Sequence, residues 1–175
     1  MFPVPQLELA WVVELVNEFS DATRAAAVEQ DEPYPELAAP DGHFAGQPWT
    51  TAELAGAANE LHPIFDAVAR GEPVAGAANA ILDRARPWRR AIPAGMGFAV
   101  TDAHHVLPAA CALTLLAWIA ARGTQAIGVC DAERCADVFA DASAAGHRRF
   151  CSATCSNRHR VARYRARRRE QTKGP

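Results

Sequence analysis

Val and Ile are thinly spread in this chain, and no long stretch alternates apolar with polar residues. A large sheet is therefore not expected. There is no internal repeat and no low-complexity segment apart from an arginine-rich end, which excludes a repeat architecture. The first residues, MFPVPQLELA, lack a basic segment followed by an apolar stretch, so no signal peptide is expected. The most apolar run, Val106–Ala121, falls short of the roughly 20 residues that a spanning helix needs. It reads as a buried core helix, and a cytoplasmic chain with no membrane partner is expected. His147 and His159 are not surrounded by the carboxylates that a second, catalytic metal site would need. The chain is not read as an enzyme.

What is present fits a globular protein. Half of the 175 residues are hydrophobic and alanine is very frequent, which favours helix. The length allows one good core plus a small appended module. The net charge of −2 conceals an asymmetry. Residues 1–146 hold 8 Lys/Arg against 19 Asp/Glu, a balance of −11, whereas residues 147–175 hold 10 Lys/Arg against 1 Glu, a balance of +9. An acidic body thus carries a basic arm suited to a polyanion, and the body either faces away from that polyanion or masks the arm.

Along the chain, Trp11, Leu15 and Phe19, with Val12 and Val16, make one apolar face of a helix over 7–28. Asn17 reads as a polar residue at the core edge. Residues 31–48 are dense in Pro and Gly and form a loop. His43 and His62 are isolated and read as surface or loop histidines. Thr50-x-x-Glu53 is a capping box opening a second helix, with Leu54, Leu61, Phe65 and Val68 facing inward up to Gly71. Pro63 is expected to bend or split it. A third helix covers 74–86, with Ile81 and Leu82 inward, and Pro87 ends it. Residues 88–101 suit a bend or a short hairpin. Arg84, Arg86, Arg89 and Arg90 beside Trp88 read as a solvated face. The core helix covers 103–122 and carries Leu113, Leu116, Trp118 and Ile119. Pro108 belongs in its first turn and Gly123 just after its end. Cys111 inside it reads as a packed small hydrophobe.

Four of the five cysteines fall within 26 residues, as Cys130-x4-Cys135-x15-Cys151-x3-Cys155. Two close thiol pairs brought together by a short hairpin supply the tetrahedral soft shell that zinc prefers. Phe139 and Phe150 flank a turn-rich segment, 141–146, and can pack on the site. Cys155 falls in the first turn of a helix, whose dipole favours thiolates. Arg148, Arg149 and Arg158 can offset the site's charge and donate to sulfur. Four thiolates leave no open position for water, so the zinc is read as structural. Reduced, unliganded thiols or a redox switch are the competing readings of the same residues.

The last cysteine runs into SNRHRVARYRARRR. Val161 and Tyr164 can pack back on Phe139 or Phe150. Arg158, Arg160, Arg163, Arg165, Arg167, Arg168 and Arg169 surround that short stripe. A run of one sign attached to a metal-fixed end suits nucleic acid, with most of these arginines on phosphates and Arg148 and Arg149 counted among the nucleic-acid contacts. Asn157, Arg158 and Arg160 are the candidates for reading bases.

These residues resemble the CGNR zinc finger family. The likeness covers Cys130, Cys135, Phe139, Asp141, Ser143, Arg148, Arg149, Cys151, Ser152, Cys155, Asn157, Arg158, Tyr164 and Arg165. Ser156 stands where the family has glycine, and Phe150 where it usually has tryptophan. Glu14-Leu15-Val16-Asn17 and Ala78-Asn79-Ala80-Ile81-Leu82 resemble motifs of the helical ABATE domain that precedes the finger in that family. The resemblance implies a zinc-dependent, DNA-binding transcriptional regulator. The fold expected is mainly α: a helical domain over 1–124, a treble-clef-like zinc module over 125–170 made of a knuckle, a short hairpin and a basic helix, and a tail over 171–175. The partner expected is double-stranded DNA. The helical domain is expected to sense a small-molecule effector, in a pocket among Trp11, Phe19, Trp88 and Trp118, or to mediate homodimerisation. An RNA- or protein-interaction module in which zinc only staples the fold is the alternative.

Overall fold

The computed structural model describes residues 1–38, 40, 49–92, 95–143 and 146–172. Gly42, His43, Gly46 and Pro48 of the breaker-rich loop, Pro93 and the last three residues lie outside the described residues.

The fold is mainly α. The segment 7–28 forms two helices, α1 (Leu9–Phe19) and α2 (Asp21–Ala27). Ser20 breaks them apart. Its backbone is extended, and its hydroxyl accepts the Thr23 N–H at 3.2 Å, so a good N-cap residue ends one helix by starting another. The apolar face predicted for α1 is buried, including Leu15, Val16 and Phe19.

Helix α3 (Thr51–Ala69) opens with the capping box. The Thr50 hydroxyl accepts from Glu53 N–H, and the Glu53 carboxylate accepts from Thr50 N–H at 2.9 Å. The Thr50 N–H first and then the Thr50 hydroxyl, which also donates to that carboxylate (2.8 Å), hold the Glu53 carboxyl below its usual pKa. Thr50→Ala should cost about 1 kcal/mol, read as a lower urea midpoint at unchanged slope. Pro63 does not split α3. It lies on the exposed side, so its ring meets no packed neighbour and only the Asn59 carbonyl loses its helical partner. Helix α4 (Ala75–Ala85) packs Ala78 and Ile81 inward.

The segment 88–101 is a hairpin. Its strands are paired antiparallel, Trp88 opposite Ala99 and Arg90 opposite Gly97. A third strand joins them from the N-terminus. Numbered along the chain, β1 (Phe2–Val4), β2 (Trp88–Ile92) and β3 (Gly95–Val100) form a sheet ordered β1-β3-β2. Pro3 is tolerated because β1 is an edge strand, where a missing N–H costs no ladder bond. Arg84 of the nearby basic cluster pairs with Glu60 at 2.9 Å.

Helix α5 (Val106–Arg122) follows a 3₁₀ turn, Ala103–His105. The combined span, 20 residues, is long and apolar enough by length and composition to cross a membrane. It packs against α4, α3, α1 and β1. The face it buries is Leu107, Ala110, Cys111 and Leu115, whereas the expected Leu113, Leu116, Trp118 and Ile119 are only half-buried. Alanines on the buried side let neighbouring helices approach closely, so the bulkier residues end up at the flank. Gly123 ends α5 at φ 85°, and a Cβ there would collide with the Gln125 side chain.

The remaining elements are β4 (Ile127–Val129), β5 (Val138–Ala140) and α6 (Ala153–Thr172). Strands β4 and β5 pair antiparallel, Val129 opposite Val138. This hairpin brackets the first cysteine pair. It does not lie between the two pairs, as expected from the turn-rich segment. Ile127 and Val138 belong to the same core cluster as α1, α3 and α5, so the hairpin is built into the helical body.

Candidate metal centre and basic helix

The first cysteine pair sits at the tip of the β4–β5 hairpin. Cys130 N–H donates to Asp137 O (2.8 Å), closing the ladder, and Cys135 N–H donates to Ala132 O (3.1 Å). Arg134 takes the left-handed conformation, φ 60°, which turns Cys135 back toward Cys130. The four-residue spacing is thus absorbed by a tight turn. Gly128 lets the ring of Phe139 lie across β4, since a Cβ there would come within 2.9 Å of it.

The second pair straddles the start of α6. Ser152 caps the helix: its hydroxyl accepts Cys155 N–H at 3.2 Å. Ser156 N–H donates to Ser152 O within the same turn. Ser156 is helical, so the change from the family's glycine loses no left-handed turn.

The loop between the pairs is organised by Asp141. Its carboxylate accepts the N–H of Ser143 (2.9 Å) and of Arg148 (3.0 Å). Hydrogen bonds from Ser143, side chain then backbone, and from Arg148 hold its pKa below the usual range. The Arg148 guanidinium donates to the carbonyls of Phe150 (2.9 Å), Ala140 (3.1 Å) and Cys151. Arg149 pairs with Asp131 at 2.7 Å. These two arginines therefore staple the loop and the knuckle. Only Arg158 of the three arginines expected at sulfur has a hydrogen bond there, to Cys155 Sγ at 3.2 Å.

The sulfur atoms of Cys130, Cys135, Cys151 and Cys155 all lie within 4.8 Å of one another, the one such ligand group among the described residues. Cys135–Cys151, Cys135–Cys155 and Cys151–Cys155 are separated by 3.8, 3.8 and 3.5 Å. A tetrahedron of ~2.3 Å zinc–sulfur bonds has edges of about 3.8 Å. As free thiols these groups are poorly matched. Burial, helped by the nearby Asp137 carboxylate, pushes Cys135 up to about 12. Burial followed by Asp137 and Cys155 pushes Cys151 further still. Burial opposes ionisation of Cys155 too, but hydrogen bonds from Cys151, Ser152 and Cys135 outweigh it and lower that pKa. A divalent cation is what makes four crowded thiolates favourable. The site binds one structural zinc ion. Residues 127–168 match the CGNR zinc finger family. The match runs from the first residue of β4 into α6, so the core-packed hairpin is part of the finger. No curated protein matches the chain.

The finger is fastened to the helical body by two side chains that seemed incidental in sequence. Asn17 of α1 accepts Val138 N–H at Oδ1 (2.7 Å) and donates from Nδ2 to Val138 O (3.1 Å). It completes the open edge of β5 as another strand would. His62 is buried in α3, not in a loop. Its Nε2 lies 3.2 Å from Ala136 O, a carbonyl that can only accept, and its Nδ1 lies 3.2 Å from the Asp66 carboxylate. Between them, His62 and Asn17 hold the first and third of the three residues that follow Cys135. Asn17 carried one prior signal, its place in the first of the helical motifs, whereas nothing marked His62.

Beyond Cys155, α6 leaves the body. Cys155 is its one buried residue among those described, and His159 is its last half-buried one, packed on Phe150 at 5.1 Å. Val161 and Tyr164 do not pack back on Phe139 or Phe150. They are 47% and 56% exposed, because the helix is anchored only through its first turns. Thr154, Asn157, Arg158, Val161, Ala162 and Arg165 lie along one open face of α6. Arg160, Arg163 and Arg167 are exposed on another, and Arg168 and Arg169 continue the run.

The aromatic side chains of the body have partners of their own. Trp11 donates to Ala38 O and meets the ring of Trp49, Phe19 stacks on Tyr34, Trp88 lies in β2, and Trp118 lies under Arg122. Trp11 and Phe19 belong to the main core cluster, and Trp118 packs against it. Cys111 is buried in the body, away from the other thiols, and burial drives its pKa up. Burial and then the carboxylates of Glu29, Glu14 and Asp137 raise the pKa of Glu18.

Proposed function

We propose that this protein is a cytoplasmic, zinc-dependent DNA-binding regulator of transcription, with α6 as the element that meets the duplex. The observation that carries this reading is the state of α6: a helix rigidly rooted at a zinc centre, otherwise exposed, with seven arginines and no acidic residue through Arg169. Arginines held on one helix face little entropy loss when they meet phosphates, and phosphate oxygens satisfy their forked donors. The carboxylates of Glu14, Glu18 and Glu29, grouped on the helical body, repel the same polyanion and leave α6 as the element that attracts it. No catalysis is assigned, since four thiolates fill the zinc coordination. The helical part, which resembles an ABATE domain, takes the role of effector sensing or homodimerisation.

The test is a titration of the zinc-loaded protein with duplex DNA, single-stranded DNA and structured RNA over a salt series. Duplex should bind tightest. If six arginines displace counter-ions, log affinity should fall against log salt with a slope of about −5. A chain ending at Asn157 should lose that binding. Equal binding of all three nucleic acids, or binding that survives the truncation, would count against DNA as the partner.

A further inference from the structure

The arginines of α6 are not equivalent. Thr154, Asn157, Arg158, Val161, Ala162 and Arg165 lie along one open face of this helix. This face mixes a hydroxyl, an amide, a methyl-bearing chain and guanidinium groups. Val161 is 47% exposed in its middle. Arg160, Arg163 and Arg167, spaced by three and four, form a different face that is charge alone. Arg158 has its guanidinium at Cys155 Sγ, so the zinc centre fixes the near end of the first face.

We infer that α6 lies in the major groove and reads base edges with Asn157, Val161 and Arg165, while Arg160, Arg163 and Arg167 hold phosphates. This rests on the DNA-binding reading above. Asparagine can pair bidentately with adenine, arginine with guanine, and an exposed aliphatic group fits a thymine methyl. A helix is about 10–12 Å across and the B-form major groove about 12 Å wide. The deep, narrow major groove of an RNA helix admits no such element. Duplex DNA is thus the occupant whose shape and chemistry match both faces. Arg160 grips the backbone in this arrangement, because it lies off the face that carries Asn157, Val161 and Arg165.

The test uses the zinc-loaded full chain and a pool of duplexes with a randomised central segment, sequenced after selection. The parent protein should enrich a short sequence. Asn157→Ala and Val161→Ala remove no charge. Each should relax preference at its own position by roughly 5- to 100-fold and leave the salt slope unchanged. Arg160→Ala, Arg163→Ala and Arg167→Ala should keep the enriched sequence, weaken all duplexes alike and make the slope shallower by about 1 each. All five positions are exposed or on the free part of α6, so zinc content and melting serve as controls for folding. Enrichment unchanged by Asn157→Ala and Val161→Ala, or altered by the three arginine variants, overturns the assignment of faces. Duplex binding with no enriched sequence overturns it too and leaves the DNA-binding reading standing. Absence of duplex binding, or preference for structured RNA, removes both.

Discussion

Replacing Cys151 with serine should empty the zinc site and destabilise the helical body along with the tail. Zinc content should fall from one ion per chain to near zero, because apparent binding free energies of roughly 10–16 kcal/mol in such sites depend on all four ligands. The consequence for the body follows from the hairpin. Ile127 and Val138 lie in the main core cluster with α1, α3 and α5, while Cys130 and Cys135 sit at the tip of the same hairpin. A two-stranded hairpin has little stability of its own. Once the tip is released, the core loses the burial of two branched side chains, about 1.5–3 kcal/mol each. For a chain of this size that corresponds to a melting temperature lower by about 10–20 °C. Treatment of the parent protein with a strong chelator should reproduce the same melting curve. Cys111→Ala is the control, since that thiol lies apart from the other four and should keep a full equivalent of zinc. A Cys151→Ser protein that retains one zinc would refute the ligand set. One that loses the metal but melts like the parent would refute the coupling of finger to body.

The parts legible in the sequence were those whose cause is local. Two cysteine pairs announce a metal site through residues within 26 positions of each other. Thr50 and Glu53 announce a helix start through bonds spanning three residues. The periodic apolar face of α1 reports burial directly, although Ser20 divides that segment and its capping signal was read through as helix. Less was legible where distant segments decide. Strand β1 has three residues and contains a proline, so only its pairing with β3 makes it a strand. In α5 nearly every position is apolar, and periodicity could not choose the buried face. Leu113, Leu116, Trp118 and Ile119 are half-buried, whereas close helix packing selected the alanine side. Val161 and Tyr164 formed a stripe that suggested packing, yet a helix anchored only at its first turns offers them nothing to pack on. The hairpin was expected between the cysteine pairs, because what places its second strand is Asn17, 121 residues away.

Asn17→Ala is the sharpest test of that placement. Val138 is fully buried, and its N–H and C=O both end on the Asn17 amide. Each buried backbone group left without a partner costs about 1–3 kcal/mol, so the substitution should lower stability by roughly 2–5 kcal/mol. A polar residue at a mere core edge would change it by under about 0.5 kcal/mol. Asn17→Asp separates the two bonds. It keeps an acceptor for Val138 N–H but turns a carboxylate oxygen toward Val138 O, next to Glu14, Glu18 and Asp137. It should therefore be at least as damaging as alanine. Zinc affinity, measured by chelator competition, should fall roughly tenfold in either variant, as when groups behind metal ligands are removed. The reason is geometric: Val138 stands three residues after Cys135, and freeing it loosens the turn that aims that thiolate. His62→Ala releases the neighbouring Ala136 carbonyl from the other side. Since both side chains hold one segment, the double variant should lose less than the sum of the two single losses. Additive losses would mean that Asn17 and His62 act on separate parts of the molecule. An Asn17→Ala protein as stable as its parent would mean that the finger is held to the body by core packing alone.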